Sequence, residues 1–388
     1  MDTLLFGSMV SKTMNKKKIL ISANVIFTIA NFRIELIKFL LLRNYEIVCV
    51  ASKDELSGNA EEVLEKLGVR FIEVSVSRKG LNPIEDLKYL LNLIKIYKNE
   101  KPNTVMHFTI KPNIYGTLAC RFLKIPSINT INGLGSGIIK ENFLSKILKV
   151  MYKTALKFSY KTFFQNNDDK EFFINNNLVS TQRVGIVPGS GVDTQSFNTC
   201  TSNTKELTFI LIARLLKDKG IYEYIEAIKS IKKTNKHAIF LLAGQFDFGN
   251  PSAITQDEVK AWTDGNIIQF IGKTDDIKNF FTISDVVVLP SYREGLSRVL
   301  IEAASASKPI ITTNVPGCKD VVDDSVNGFL CEVKNSSSLE ISLKSMIELN
   351  ETKIYDMGLE SKKIAQSRFD KDIVNSIYLK EIEKICSI

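Results

Sequence analysis

Histidine is nearly absent, with two in 388 residues, His107 and His237. Cysteine is sparse and scattered: Cys49, Cys120, Cys200, Cys318, Cys331 and Cys386 include no C-x-x-C pair and no neighbouring histidine cluster. That scatter excludes a zinc framework and a disulfide scaffold, and it fits thiols kept reduced in the cytosol. No run approaches the ~18–20 uninterrupted apolar residues of a membrane-spanning helix. Nor is a secretory signal expected in Met1 to Lys18, where the apolar residues precede the lysines, the reverse of its order. Met14 stands just ahead of the first strand pattern, so residues 1–17 are expected to be a leader, with 1–13 disordered or a start-site artefact. No Walker lysine motif occurs. Gly133-Leu134-Gly135-Ser136-Gly137 fails as a dinucleotide fingerprint, since Ile138 replaces the third glycine and the run follows the fifth strand, not the first. Nicotinamide chemistry and nucleotide hydrolysis therefore lack their motifs.

What is present is a soluble, globular composition, 44% apolar and 24% charged, in a length that suits two domains of roughly 150–200 residues each. The net charge of +8 is unevenly placed. Residues 1–190 carry 27 basic and 16 acidic side chains, a balance of +11, while the remainder is slightly acidic. The first half is thus expected to face something anionic, nucleic acid or a membrane surface.

Short β-rich runs alternate with helical patterns throughout. Lys18–Ser22, Tyr45–Ala51, Phe71–Val74, Thr104–Phe108, Ser127–Ile131 and Lys161–Gln165 read as strands. After the turn-forming Pro188-Gly189-Ser190-Gly191 the series restarts with Thr208–Ile212, Ala238–Ala243, Ile267–Ile271, Val286–Leu289 and Pro309–Thr312. Alternation of this kind predicts the α/β class, with parallel sheets covered by helices on both faces. The expected architecture is two doubly wound, Rossmann-like domains, 18–188 and 191–371, facing across a cleft. A final helix, 372–388, is expected to pack back on the first domain. Ligands of such sheets bind beyond the carboxyl ends of the strands.

The segment Val286 to Ala303 places Glu294 and Gly295 in a loop after a buried strand, then opens a helix near Leu296 with Glu302 two turns in. A helix start at Leu296, Ser297 and Arg298 offers free N–H groups and a positive dipole end to a diphosphate. Glu294 and Glu302 can then accept from sugar and ribose hydroxyls on either side of it. Arg214 and Lys219 project from the end of the first strand of the same domain, where fixed cations would stabilise a departing diphosphate.

E-x7-E as Glu294 to Glu302, the A-R-L-x-x-x-K-G run from Ala213, Phe270-Ile271-Gly272, and Lys308-Pro309-Ile310-Ile311 through Gly317-Cys318 to Asn327-Gly328 resemble glycosyltransferase family 4 in order and spacing. The resemblance implies the GT-B fold, a retaining hexosyltransfer, and no bound metal or other cofactor beyond the nucleotide-sugar substrate. It puts the base near the Ile271 backbone, the diphosphate on Arg214 and Lys219, the ribose on Glu302 and the donor sugar on Glu294. The only D-x-D, Asp370-Lys371-Asp372, lies beside the final helix and gives no support to a metal-dependent alternative fold.

In the first half, Asn31-Phe32-Arg33, Lys111-Pro112-Asn113 and Ile131-Asn132-Gly133 resemble bacterial enzymes that extend undecaprenyl-diphosphate-linked sugars, α-1,3-N-acetylgalactosaminyltransferases among them. Arg33, His107, Lys111, Asn132 and Gly133 are the acceptor-side candidates. Asn132 departs from the histidine many members carry there. For His107 a sugar contact and a packed structural role are both open. The basic excess concentrates at Lys146, Lys149, Lys153, Lys157 and Lys161, which at 100° per residue share an arc of about 120°. With no aromatic stacking platform, nucleic acid is the poorer partner and an anionic inner-membrane surface the better one. The expected enzyme takes a sugar, an N-acetylhexosamine or similar, from a UDP donor to a polyprenyl-diphosphate-linked saccharide, for O-antigen, capsule or glycan assembly. Its expected place is the cytoplasmic face of the plasma membrane. A nucleotide-sugar epimerase of the same fold and a non-catalytic membrane-associated subunit remain as alternatives.

Overall fold

The computed structural model describes residues 16–387 except 54–56, 77–81, 136–137, 139–141, 199–205, 235–236 and 275. Residues 1–15 of the expected 1–17 leader, and Ser136 and Gly137 of the glycine run, lie outside the described residues.

Two parallel sheets form the frame. The first contains β1 (Lys18–Val25), β2 (Glu46–Ser52), β3 (Arg70–Glu73), β4 (Thr104–Phe108), β5 (Ser127–Ile131), β6 (Lys161–Phe164) and β7 (Val184–Ile186), in the order β3-β2-β1-β4-β5-β6-β7. The second contains β8 (Thr208–Ile212), β9 (Ile239–Ala243), β10 (Gln269–Gly272), β11 (Val286–Leu289), β12 (Ile310–Thr313) and β13 (Gly328–Cys331), in the order β10-β9-β8-β11-β12-β13. In both, strand order reverses beside the first strand, which makes the crevice at that point the ligand position. The central strands β4, β5, β8, β11 and β12 are buried along their whole length, as parallel strands covered on both faces must be.

Two strands went unread in the sequence. Val184–Ile186 is three residues long and half-buried at a sheet edge, and Gly328–Cys331 opens on a glycine. Neither has the apolar run that marks its neighbours. The last helix, Lys371–Cys386, returns to the first domain: Tyr378 packs edge-on against Phe108 and Phe163 and shares a 2.9 Å hydrogen bond with Thr130. The crossing is tied at Lys371, whose ammonium lies 2.6 Å from Asp193 and 3.6 Å from Glu35.

Candidate active site

A cleft of about 820 Å³ lies between the carboxyl ends of the two sheets. Its floor on the second domain is set by close backbone packing. Gly220 adopts φ +73°, and a Cβ there would sit 2.1 Å from the Pro290 carbonyl oxygen, so only glycine lets the 217–220 turn lie on the end of β11. The Tyr292 N–H donates to the Asp218 carbonyl at 2.8 Å, completing the seam. Lys219 is thereby delivered beside the following loop, with its ammonium 2.5 Å from the Glu294 carboxylate. Ser291 donates to the same carboxylate oxygen at 2.8 Å.

The helix after this loop spans Arg298–Ser305, two residues later than expected, with Ser297 as its N-cap. The Ser297 N–H is spent on the Gly317 carbonyl at 2.9 Å, but no side chain caps the first turn, whose amides stay available to an anion. Glu302 is buried, and burial raises its pKa against the opposing pull of Arg298, whose Nε donates to it at 2.7 Å. Arg298 also donates to the Asn31 carbonyl of the first domain.

Arg214, Lys219, Glu294, Gly295, Leu296, Ser297, Arg298 and Glu302 all line the cleft, joined from the first domain by Arg33 and Asn132. Arg214 reaches it from the end of β8 as a largely exposed side chain paired with Asp247 at 3.1 Å. Arg33 is buried, its guanidinium 4.0 Å from the Phe108 ring centroid and donating to Asn132 Oδ1 at 3.0 Å. Burial lowers its pKa, and Arg298 adds to the effect. Gly133 meets Gly295 across the cleft: a Cβ on Gly133 would come within 3.0 Å of the Gly295 Cα.

Placement decides between the two readings of His107 and moves Lys111 away from the cleft. His107 is fully buried between Tyr97, 3.1 Å from Nε2, and Asn129, 2.9 Å from Nδ1, and burial drops its pKa to about 4. It is a packed histidine, because strand β4 runs through the middle of its sheet. Lys111 is buried in an ion pair with Asp86 at 2.6 Å and does not line the cleft. The Ile271 side chain packs on the second domain's core, and Thr274, Asp276, Ile277 and Lys278 of the loop after β10 line the cleft.

The lysine arc is also shorter than its period suggested. The helix covers Phe143–Leu156, so Lys157 caps it and Lys161 already belongs to β6. Lys149 is drawn over the Phe172 ring at 5.1 Å, leaving Lys146, Lys153 and Lys157 exposed. The buried face is Ser145, Leu148, Tyr152, Ala155 and Leu156, while Leu144 and Phe158 are exposed. Sequence reading missed Asn166, Asp169 and Arg293, which join the two domains beside Glu294. Their signal was present as Gln165-Asn166-Asn167-Asp168-Asp169 at the end of a strand, but nothing local shows what that run faces.

Two Rossmann-like domains enclosing a cation- and carboxylate-lined cleft define a GT-B protein. Residues 193–357 match the family "Glycosyl transferases group 1" and residues 18–167 match "Glycosyl transferase 4-like". Together these take in both domains, and the chain belongs to these glycosyltransferases. It is 27% identical, over 92% of its length and 96% of the relative's, to an N,N'-diacetylbacillosaminyl-diphospho-undecaprenol α-1,3-N-acetylgalactosaminyltransferase from Campylobacter jejuni. It is 26% identical, over 84% of its length and 86% of the relative's, to a UDP-Gal:α-D-GlcNAc-diphosphoundecaprenol α-1,3-galactosyltransferase from Escherichia coli. In fold it is similar to a Rickettsia africae glycosyltransferase (TM-score 0.79, 19% identity, 96% of this chain and 99% of that one). An Anabaena protein crystallised with UDP and glucose is also similar (TM-score 0.76, 18% identity, 95% and 99% covered).

Proposed function

We propose that this glycosyltransferase moves an N-acetylhexosamine or related sugar from a UDP donor onto an undecaprenyl-diphosphate-linked saccharide, with retained anomeric configuration and no bound metal. The observation that carries the reading is the Lys219–Glu294 contact at the floor of the interdomain cleft, flanked by Arg214 and by the uncapped helix start at Arg298. Cations and helix amides gathered on one side of a closed cleft suit a diphosphate that gains charge as its bond to the sugar breaks. Glu294 would hold the sugar hydroxyls, and Glu302, two turns into the helix, the ribose. Arg33 and Asn132 face them from the first domain, where the acceptor would enter. The two relatives named for lipid-linked acceptors support that choice of acceptor.

Membrane proximity follows from the same acceptor. Among the described residues no helix is long and apolar enough to cross a membrane. Phe143 and Val150, 79% and 63% exposed, fall at about +60° and +40° from Lys146 on a helical wheel, within the lysine sector. Exposed lysines interleaved with an exposed phenylalanine and valine suit an anionic interface better than a merely solvated face does.

The test is a panel of nucleotide sugars scored for thermal stabilisation, followed by transfer to a synthetic lipid-diphosphate saccharide. Lys219→Ala and Glu302→Ala should each abolish measurable turnover in a folded protein; near-normal activity in either would remove the site assignment. UDP release that depends on the added lipid-linked saccharide would exclude an epimerase, which needs no acceptor.

A further inference from the structure

The loop that carries Glu294 is held from both domains, and the hold from the first domain has no part in gripping a donor. Within its own domain the Glu294 N–H donates to the Pro316 carbonyl at 3.1 Å. From across the cleft comes the first turn of the Asn167–Asn175 helix. Asn166 caps that helix by accepting from the Asp169 N–H at 2.7 Å, and the other end of its amide donates to the Gly295 carbonyl at 2.5 Å. The Asp169 side chain is 0% exposed and is paired with the Arg293 guanidinium, one residue before Glu294. Asp169 does not line the cleft, so whatever it does it does through Arg293. A buried carboxylate stripped of its partner is strongly unfavourable, so this pair belongs to the state in which the domains are together.

We propose that Asp169 is a positioning residue for sugar transfer: with Asn166 it locks the Arg293–Gly295 loop, and hence the Glu294 carboxylate, into the closed cleft. The inference rests on the transfer reading above. Nucleotide binds to the second domain whether or not the lock forms, so losing the lock costs the geometry of the closed complex and spares donor affinity. Misplacement of a catalytic group by about 1 Å costs on the order of 10²-fold in rate.

The experiment uses the full-length enzyme with Asp169→Asn, Arg293→Gln and the double variant. Steady-state transfer and UDP affinity by calorimetry are measured for each. Each single variant is expected to lose roughly 10–100-fold in kcat, with UDP affinity changed less than about threefold. The double variant should be no slower than the worse single, because one pair is broken either way. Arg293→Lys should recover part of the rate. Arg293 sits on a loop and is partly exposed, so its variants read out the proposal even if Asp169→Asn fails to fold. Wild-type rates in the single variants, losses that multiply in the double, or UDP affinity falling in step with kcat would each overturn the lock. Donor hydrolysis without acceptor supplies the same kcat readout. A wild type inert towards lipid acceptors would therefore count against the transfer reading alone.

Discussion

At Lys219 the ammonium already has a carboxylate 2.5 Å away, so an incoming diphosphate must share or displace the Glu294 contact. Lys219→Ala should therefore weaken UDP binding as well as turnover, whereas Glu294→Gln should spare UDP affinity and cost roughly 10²-fold or more in kcat. Calorimetry and steady-state rates separate the two. His107 supports a different prediction. The buried ring titrates near 4, while an unfolded histidine titrates near 6.5, so folding rejects the proton. Its effect is nil well above pH 6.5. Stability is lost as pH falls from about 6.5 towards 4, by about 2 kcal/mol at pH 5. Urea midpoints at pH 7.5 and 5.0 should fall further in the wild type than in His107→Asn; equal declines would contradict this placement. Glu294, Glu302, Arg214 and Lys219 were legible one by one, because their spacing on a strand–loop–helix unit is local. Whether His107 and Lys111 pointed into a cleft or a core was not legible, because that depends on Tyr97, Asn129 and Asp86, which pattern alone does not bring near.

The loop from Arg293 to Ser297 is the element on which the two domains converge. Gly295 has an ordinary backbone conformation, so its lack of a side chain serves clearance: a Cβ there would sit 1.9 Å from the Asn132 carbonyl oxygen and 2.8 Å from Gln165 Oε1. Both obstacles belong to the first domain. Gly295→Ala should leave the second domain folded and able to bind UDP, yet prevent full closure and lower kcat by roughly 10²-fold. An unchanged kcat would mean that the cleft closes less tightly than this contact implies. At this scale the sequence revealed the buried strands well and the Phe143–Leu156 helix in part. Its lysine period ran on to Lys161 although the helix had ended, since lysines recur in a strand start without breaking the pattern.

Across the whole molecule, charge is divided between a basic first domain and a slightly acidic second one, and the basic excess surfaces at Lys146, Lys153 and Lys157 beside Phe143 and Val150. Replacing the three lysines by glutamine should weaken binding to anionic vesicles by roughly 10²-fold, at about 1 kcal/mol for each lysine. Phe143→Ser should weaken it further, with neither change altering UDP affinity. Vesicle flotation at rising salt checks this, and binding that ignores both charge and salt would remove the surface from consideration. The sequence by itself determined the fold class, the restart of the strand series after Gly191, and the grouping of Arg214, Lys219, Glu294 and Glu302, because each depends on periodicity or spacing within one supersecondary unit. Only the tertiary structure decided which polar residues became core, where the final helix packed, and that Asn166 and Asp169 grip the Glu294 loop. The last two join residues more than a hundred positions apart and the first joins residues on different elements, and such contacts are set by how whole sheets and helices pack.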